Sequence, residues 1–313
     1  MPTLAESESM PGQVPVGHAQ APHAPALPAT PKLPAVPAGL HAPEVDVHLR
    51  QVAYSAQTLA SIEPGYGVLD NLRNERPDWY EYWPIRHFLL NQPLEDDAFY
   101  GFFSPKFGAK TGLAHADVIR IVRHAAPNAD VVLFSPQPDM GAFFLNVFEQ
   151  GELFDPGLID ALEAFLGHIG RLTALRSLVM DSRQVVFSNY FVARPAFWRT
   201  WLELCELFFD VCEGPPGALR EALINPTSYP GAVQRKVFLL ERLASLLLTV
   251  QPGWRTHAAD PYAFAWSGSA LREHPHEAIL SDALKLAYRV QPFPEYLQAF
   301  ARVRAVLMAP RRA

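Results

Sequence analysis

Residues 81–113 read EYWPIRHFLLNQPLEDDAFYGFFSPKFGAKTGL. An aromatic-rich helix, an apolar strand and a polar turn carrying lysines follow one another here. Ala98-Phe99-Tyr100-Gly101-Phe102-Phe103 is continuously apolar, as a strand buried on both faces of a sheet should be. It stops at Ser104-Pro105-Lys106, where proline removes a ladder donor and ends the pairing. Ligands of open α/β sheets sit just beyond the carboxyl ends of the strands. That rule puts Ser104, Lys106 and Lys110 at the working edge.

The same grammar recurs on either side. Val45–Tyr54 alternates apolar and polar residues and reads as a first strand, followed by a helical stretch near Gln57–Ile62 and a glycine turn at Gly65-Tyr66-Gly67. Asp78 is placed to cap a helix running to Leu90, with a bend or a restart at Pro84. Trp79, Tyr80, Tyr82 and Trp83 suit the core of that region, or a stacking platform for a base or sugar. Helices are expected over Ala116–His124, Met140–Phe148 and Gly157–Ile169, the last capped by Asp155 with Pro156 in its first turn. Asp130–Ser135, Leu178–Met180 and Val185–Ala193 read as further strands. Pro195 opens a helix with Phe197, Trp201, Leu204 and Phe208 on one core face, Gly214–Gly217 is a turn, and Ala232–Val250 is a long apolar helix. Beyond Pro252 the chain is mixed and punctuated by proline, with helices expected over Ala278–Ala287 and Glu295–Leu307. Strands alternating with helices imply an α/β fold: a mostly parallel central sheet flanked by helices, with 251–313 a helical C-terminal extension of a single 45–313 domain.

Residues 1–44 stand apart. They hold 10 of the chain's 30 prolines, and no aromatic residue precedes Tyr54. Such a composition cannot bury enough surface to offset ordering entropy, so a disordered tail is expected. The 313 residues are 49% hydrophobic, ample for a large core, and the net charge of −6 argues against a nucleic-acid partner. No apolar run reaches the ~20 residues that span a bilayer, and there is no secretory h-region. A cytoplasmic protein without a transmembrane segment is expected, with peripheral membrane contact left open. Cys205 and Cys212, about 10 Å apart on one helix, are too distant for a disulfide and read as buried thiols.

Three of the expected strands end in polar clusters: Ser104-Pro-Lys106, Ser135-Pro-Gln-Pro-Asp139 and Asp181-Ser-Arg183. Converging on one cleft, they would suit an anionic ligand; separately, each is an ordinary strand stop. Glu241-Arg242 inside a greasy helix demands partners, either a structural clamp or a ligand. His274-Pro-His276-Glu277 matches no metal spacing. The fingerprints of α/β-hydrolases, P-loop enzymes, HExxH metalloproteases and Rossmann dehydrogenases are missing.

Four segments carry a family resemblance: QVAYSAQT (51–58) with LDNLRNERPDWYEYWPIRHFL (69–89), YGFFSPKFGAKTGL (100–113), SNYFVARPAFWRTWLE (188–203) and KVFLLERLASLLL (236–248). In order and setting they resemble bacterial nucleotide-sugar-dependent glycosyltransferases of the GT-A-like type that build surface polysaccharides. The resemblance implies transfer of a sugar from a nucleotide-diphosphate donor to a hydroxyl of a glycan or lipid-linked acceptor. Lys106, Lys110 and Arg86 would neutralise the leaving diphosphate beside Ser104, and Asn189 and Tyr190 would position donor or acceptor. Asp181 with Asp139 would hold Mg2+ or Mn2+ where an ion is used, and Glu149 and Glu152 stand as base candidates. At one point the chain departs from that family, since no Asp-x-Asp follows an apolar strand. The alternative reading is a non-catalytic glycan- or protein-binding module on a degenerate transferase fold.

Overall fold

The computed structural model describes residues 45–231 and 233–308; the expected N-terminal tail lies outside them. Six strands form one sheet: β1 (Val47–Ala53), β2 (Gly67–Asp70), β3 (Phe99–Phe103), β4 (Val131–Leu133), β5 (Phe191–Ala193) and β6 (Thr256–Ala258). Their order is β2-β1-β3-β5-β4-β6. β1 pairs in parallel with β2 and β3, β4 in parallel with β6, and β5 runs antiparallel between β3 and β4. The expected α/β architecture with a mostly parallel, helix-flanked sheet is therefore present. The helices are α1 (Ala56–Ala60), α2 (Tyr82–Asn91), α3 (Phe107–Thr111), α4 (His115–Ala125), α5 (Pro138–Ala142) and α6 (Val147–Phe154). After these come α7 (Leu158–His168), α8 (Pro195–Glu213), α9 (Ala218–Ile224), α10 (Arg235–Val250), α11 (Pro275–Val290) and α12 (Pro294–Met308).

Both faces of the central strands are covered, which is why β3 is apolar throughout apart from the Tyr100 hydroxyl, which accepts from Glu95 N–H. Tyr100, Phe102, Leu133, Phe191 and Ala193 point into one cluster with α2, α6, α7, α8 and α10. Phe99, Phe103, Val132 and Val192 alternate into the other, with Val118 and Val122 of α4. Gly101 is needed at the centre: a Cβ there would lie 2.8 Å from Val192 Cγ2 and 3.0 Å from Leu49 Cδ2. The face read on α8 is present, since Phe197, Trp201, Leu204 and Phe208 are all buried, and both cysteines are buried free thiols. Trp79 and Tyr82 are core as well, packed on Phe209. The C-terminal helices pack on the cluster of Met140, Phe143 and Phe144, α11 through Ala278 and α12 through Leu307.

Several local expectations are corrected. Asp78 does not cap α2, because its carboxylate is taken by Arg76 and by Lys236, 2.9 and 2.5 Å away; Glu81 occupies the cap position. Of the bend or restart expected at Pro84 the restart is present: a separate 3-10 turn covers Pro77–Trp79, and α2 begins at Tyr82 with Pro84 in its first turn, where its missing N–H has no intrahelical partner to lose. The expected helix over 140–148 breaks into α5 and α6, because Asn146 caps α6 through Phe148 and Glu149 N–H. Asp155 does not cap α7; Gly157 does, while Asp155 pairs with Arg235. Leu178–Met180 joins no ladder, and only the last three residues of 185–193 do. β2 and β6, short and on the sheet's edges, were read as turn and mixed coil.

Candidate functional site

The parallel strands end at one edge, and antiparallel β5 starts there. Residues preceding β5 therefore reach the same edge as residues following β3. Ser104 meets Tyr190 there, oxygen to oxygen, at 2.5 Å. Lys110, on α3 just past Ser104, donates to the Ser188 hydroxyl at 3.0 Å and stands 5.4 Å from the Tyr190 ring centroid. Tyr190 is fully buried, and burial followed by the negative field of Glu81 pushes its hydroxyl far up, so it is a fixed donor or acceptor and not a base. Ser188 and Asn189 adopt φ of 59° and 52°, left-handed values unusual for residues with a Cβ.

Two carboxyls complete the cluster. Glu81 comes from the start of α2, next to Tyr80, whose backbone (φ 48°, ψ −130°) is held in a sparsely populated region. Burial pushes the Glu81 carboxyl up to about 7, against the opposing charges of Lys110 and Lys106. Glu241 comes from α10, and burial pushes it up to about 8; Arg242 and Lys110 act downward and Glu81 upward. Lys106 is lowered by burial and by Lys110, with Glu81 acting the other way. Tyr54, at the end of β1, also feels Glu81 and is raised, chiefly by burial. Oε1 of Glu81 and Oδ1 of Asn189 are buried without a hydrogen-bond partner in the protein. Orphaned acceptors beside two lysines mark a place for a ligand that brings its own donors and negative charge.

The other expected site residues stand elsewhere. Arg86 forks onto Glu206 at 2.6 and 2.7 Å and lies over Phe209, spent in the α2–α8 contact. Glu149 accepts from Leu145 N–H at 2.6 Å and pairs with Arg304 at 2.7 Å. Glu152 accepts from Gly157 and Ile159 N–H, holding the start of α7. The Glu241-Arg242 pair divides: Arg242 donates to Val147 O, Phe238 O and Gln150 Oε1, clamping α6, while Glu241 interacts electrostatically with Glu81 and Lys110 as well as with Arg242. Asp181 accepts from the Arg183 backbone and both arms of its guanidinium, with Arg289 3.6 Å away. Asp139 is fully buried and accepts from Ser267 N–H at 3.0 Å, from the Ser267 hydroxyl and from Ser269 Oγ. Their donor-saturated oxygens do not fit Mg2+ or Mn2+, and among the described residues no group of three His, Cys, Asp or Glu side chains is arranged for a metal. The sheet edge thus brings together Ser104, Lys106 and Lys110, which follow β3, with Asn189 and Tyr190, which precede antiparallel β5, and leaves Arg86, Asp139, Asp181, Glu149 and Glu152 in other networks.

Asp139→Ala is accordingly expected to destabilise the protein by about 2–4 kcal/mol, because it strands a buried N–H and two hydroxyls. Urea unfolding measures it; unchanged stability would return Asp139 to the pool of ligand-binding groups. Set against models of protein families, curated proteins and solved structures, the chain matches none.

Proposed function

We propose that the protein is a glycosyltransferase whose donor diphosphate lies against Lys106 and Lys110. The reading rests on one arrangement: two lysines, two carboxyls whose pKa burial raises to about 7 and about 8, and the Ser188-Asn189-Tyr190 turn at the carboxyl edge of a mostly parallel sheet. The GT-A-like resemblance of the sequence points the same way.

In this reading the lysines offset the charge that grows on the leaving nucleoside diphosphate, and Ser188 and Asn189 orient the sugar. Glu241, with its affinity for a proton near the working pH, takes the proton of the acceptor hydroxyl. The acceptor oxygen bonds to the anomeric carbon as the bond from that carbon to the phosphate oxygen breaks, and the pair of electrons leaves with the diphosphate. Glu81 balances the charge of the lysines when no donor is bound. Asp139 and Asp181 take no part, so charge neutralisation is assigned to the lysines alone.

The engagement of those two aspartates favours a second reading, a module that binds nucleotide-sugar or glycan without turnover. Thermal-shift titration against UDP-, GDP-, dTDP- and CMP-sugars, with and without Mn2+, tests both. A donor at 100 times its Kd adds about 2.7 kcal/mol. Lys106→Ala should abolish that shift while leaving the unliganded midpoint within about 1 °C. Absence of any shift with all four donors removes the transferase reading; a shift without sugar transfer leaves the binding module.

A further inference from the structure

α11 is built inside out. Its inward face holds Ser281 and Lys285, both fully buried, and the nearly buried Asp282. Lys285 donates to Gly141 O and Phe144 O at 2.6 and 2.8 Å, Asp282 accepts from Ser182 N–H at 2.8 Å, and Arg289 donates to Val179 O at 2.7 Å. Its outward face holds Ile279, Leu280, Ala283, Leu286 and Val290, all exposed, and His276 is the one polar residue among the helix's exposed positions. A helix that meets water on its outer side has the reverse pattern, apolar residues inward and charged ones outward.

The outer residues are also ordered. Ile279, Ala283, Leu286 and Val290 recur at i, i+4, i+7 and i+11, the spacing of a coiled-coil seam. Phe293, in the turn after the helix, continues the seam and leans on Tyr296 with ring centroids 5.9 Å apart. Ile279, Leu280, Leu286, Val290 and Phe293 are between 37% and 66% exposed. Together they offer roughly 500 Å2 of contiguous surface, a patch of the size that marks an interaction face.

The seam complements itself. About a two-fold axis at Leu286, an antiparallel copy sets Val290 against Ala283 and Phe293 against Ile279, the larger side chain opposite the smaller each time. Two such faces bury roughly 1,000 Å2 in all, the lower limit of a specific interface, which suits a reversible dimer. A lipid surface is a poorer match, because helices that lie on membranes flank their apolar side with Lys and Arg. Here the exposed charges of residues 270–305 are Arg272 and Arg302 against Glu273 and Glu295.

We infer that α11 is the contact helix of a homodimer, pairing antiparallel with α11 of a second copy through Ile279, Ala283, Leu286, Val290 and Phe293. The inference does not depend on sugar transfer. Sedimentation equilibrium of the full chain between about 1 and 100 μM should show the mass rising from 34.8 kDa towards twice that value. Leu286→Glu sets two carboxylates against each other on the axis and should weaken association at least tenfold. It replaces an exposed leucine, so the unfolding midpoint of the monomer should not fall. Mild oxidation reads the register, the two native cysteines being buried. Leu286→Cys should cross-link two copies, Ile279→Cys alone should not, and Ile279→Cys combined with Phe293→Cys should. A mass of 34.8 kDa at every concentration overturns the proposal, since the face would then belong to a different partner. A dimer that Leu286→Glu leaves intact overturns it as well, because its contact lies elsewhere. Cross-linking by Ile279→Cys alone does the same, for the helices would then run parallel.

Discussion

Glu241→Gln is expected to stabilise the protein progressively above about pH 4.5, with the full gain reached near pH 8, and to abolish the sugar transfer proposed above. The folded-state pKa of Glu241 is raised, from 4.5 to about 8, so the fold holds that proton more tightly than the unfolded chain does. The stabilisation this gives is complete below pH 4.5 and is lost as pH rises through about 8. Glu81 behaves alike with its end point near 7. At pH 8.5 the wild-type fold thus carries two buried carboxylates that it must ionise, and glutamine relieves one of them. After discounting for water that reaches a partly buried group, the gain is on the order of 2–3 kcal/mol, or roughly 5 °C in Tm. Urea midpoints at pH 5, 6.5 and 8.5 measure it: the two proteins should converge at acid pH and separate at pH 8.5. Destabilisation at pH 8.5 would mean that Glu241 serves as a structural partner of Lys110, and its role as base would fall with that result. Lys285 gives the opposite slope in another window. Burial lowers it to about 8 while it donates to Gly141 O and Phe144 O, so its term rises with pH from about 8 to 10.5. The two contributions are therefore separable by titration.

A gain in stability purchased by losing a side chain is the signature of a group kept for work, not for folding. It also explains what could be read in the sequence. The α/β class, β3 and the faces of α8 and α10 were legible because their apolar periodicity is dictated by burial, and burial is a local property of sequence. Ser104, Lys106 and Lys110 were legible from a rule about strand ends. Ser188-Asn189-Tyr190 reached the edge for a reason the rule does not contain, since β5 runs backward and brings its start, not its end, to the site. Glu81 had no signal of its own among Asp78, Trp79, Tyr80, Tyr82 and Trp83. Glu241 had one, a charge in a greasy helix, but pairing it with its neighbour in sequence concealed that Arg242 turns to α6. Asp139, Asp181, Glu149 and Glu152 misled because a carboxylate after an apolar run is equally suited to bind a ligand and to cap a turn. Only the partners decide: Ser267 and Arg304 lie far away in sequence, the start of α7 was assigned another cap, and Arg183, two residues from Asp181, reads equally well as a ligand-binding group.

The same competition sets the size of the last effect. Asp155→Ala should cost about 3–5 kcal/mol, more than Asp181→Ala, although both remove an arginine's carboxylate. Arg235 donates to both oxygens of Asp155 at 2.6 and 2.9 Å, and the two side chains are only 8% and 11% exposed. Its remaining donors reach Ala222 O and Pro156 O, so the guanidinium is locked among α6, α7, α9 and α10 and cannot turn to water when Asp155 is lost. Arg183, with 36% of its side chain exposed, can rehydrate after Asp181→Ala, which limits that loss to about 2 kcal/mol. Denaturant midpoints of the two variants give the ordering. The consequence reaches the site, because Arg235 and Arg242 fix the helix that presents Glu241. A charge-conserving Arg235→Lys keeps one contact and forfeits the fork, so it should fall between wild type and Asp155→Ala in stability. If instead Arg235→Lys matches wild type, α10 is held by its leucines alone and the buried pair is dispensable to the placement of Glu241.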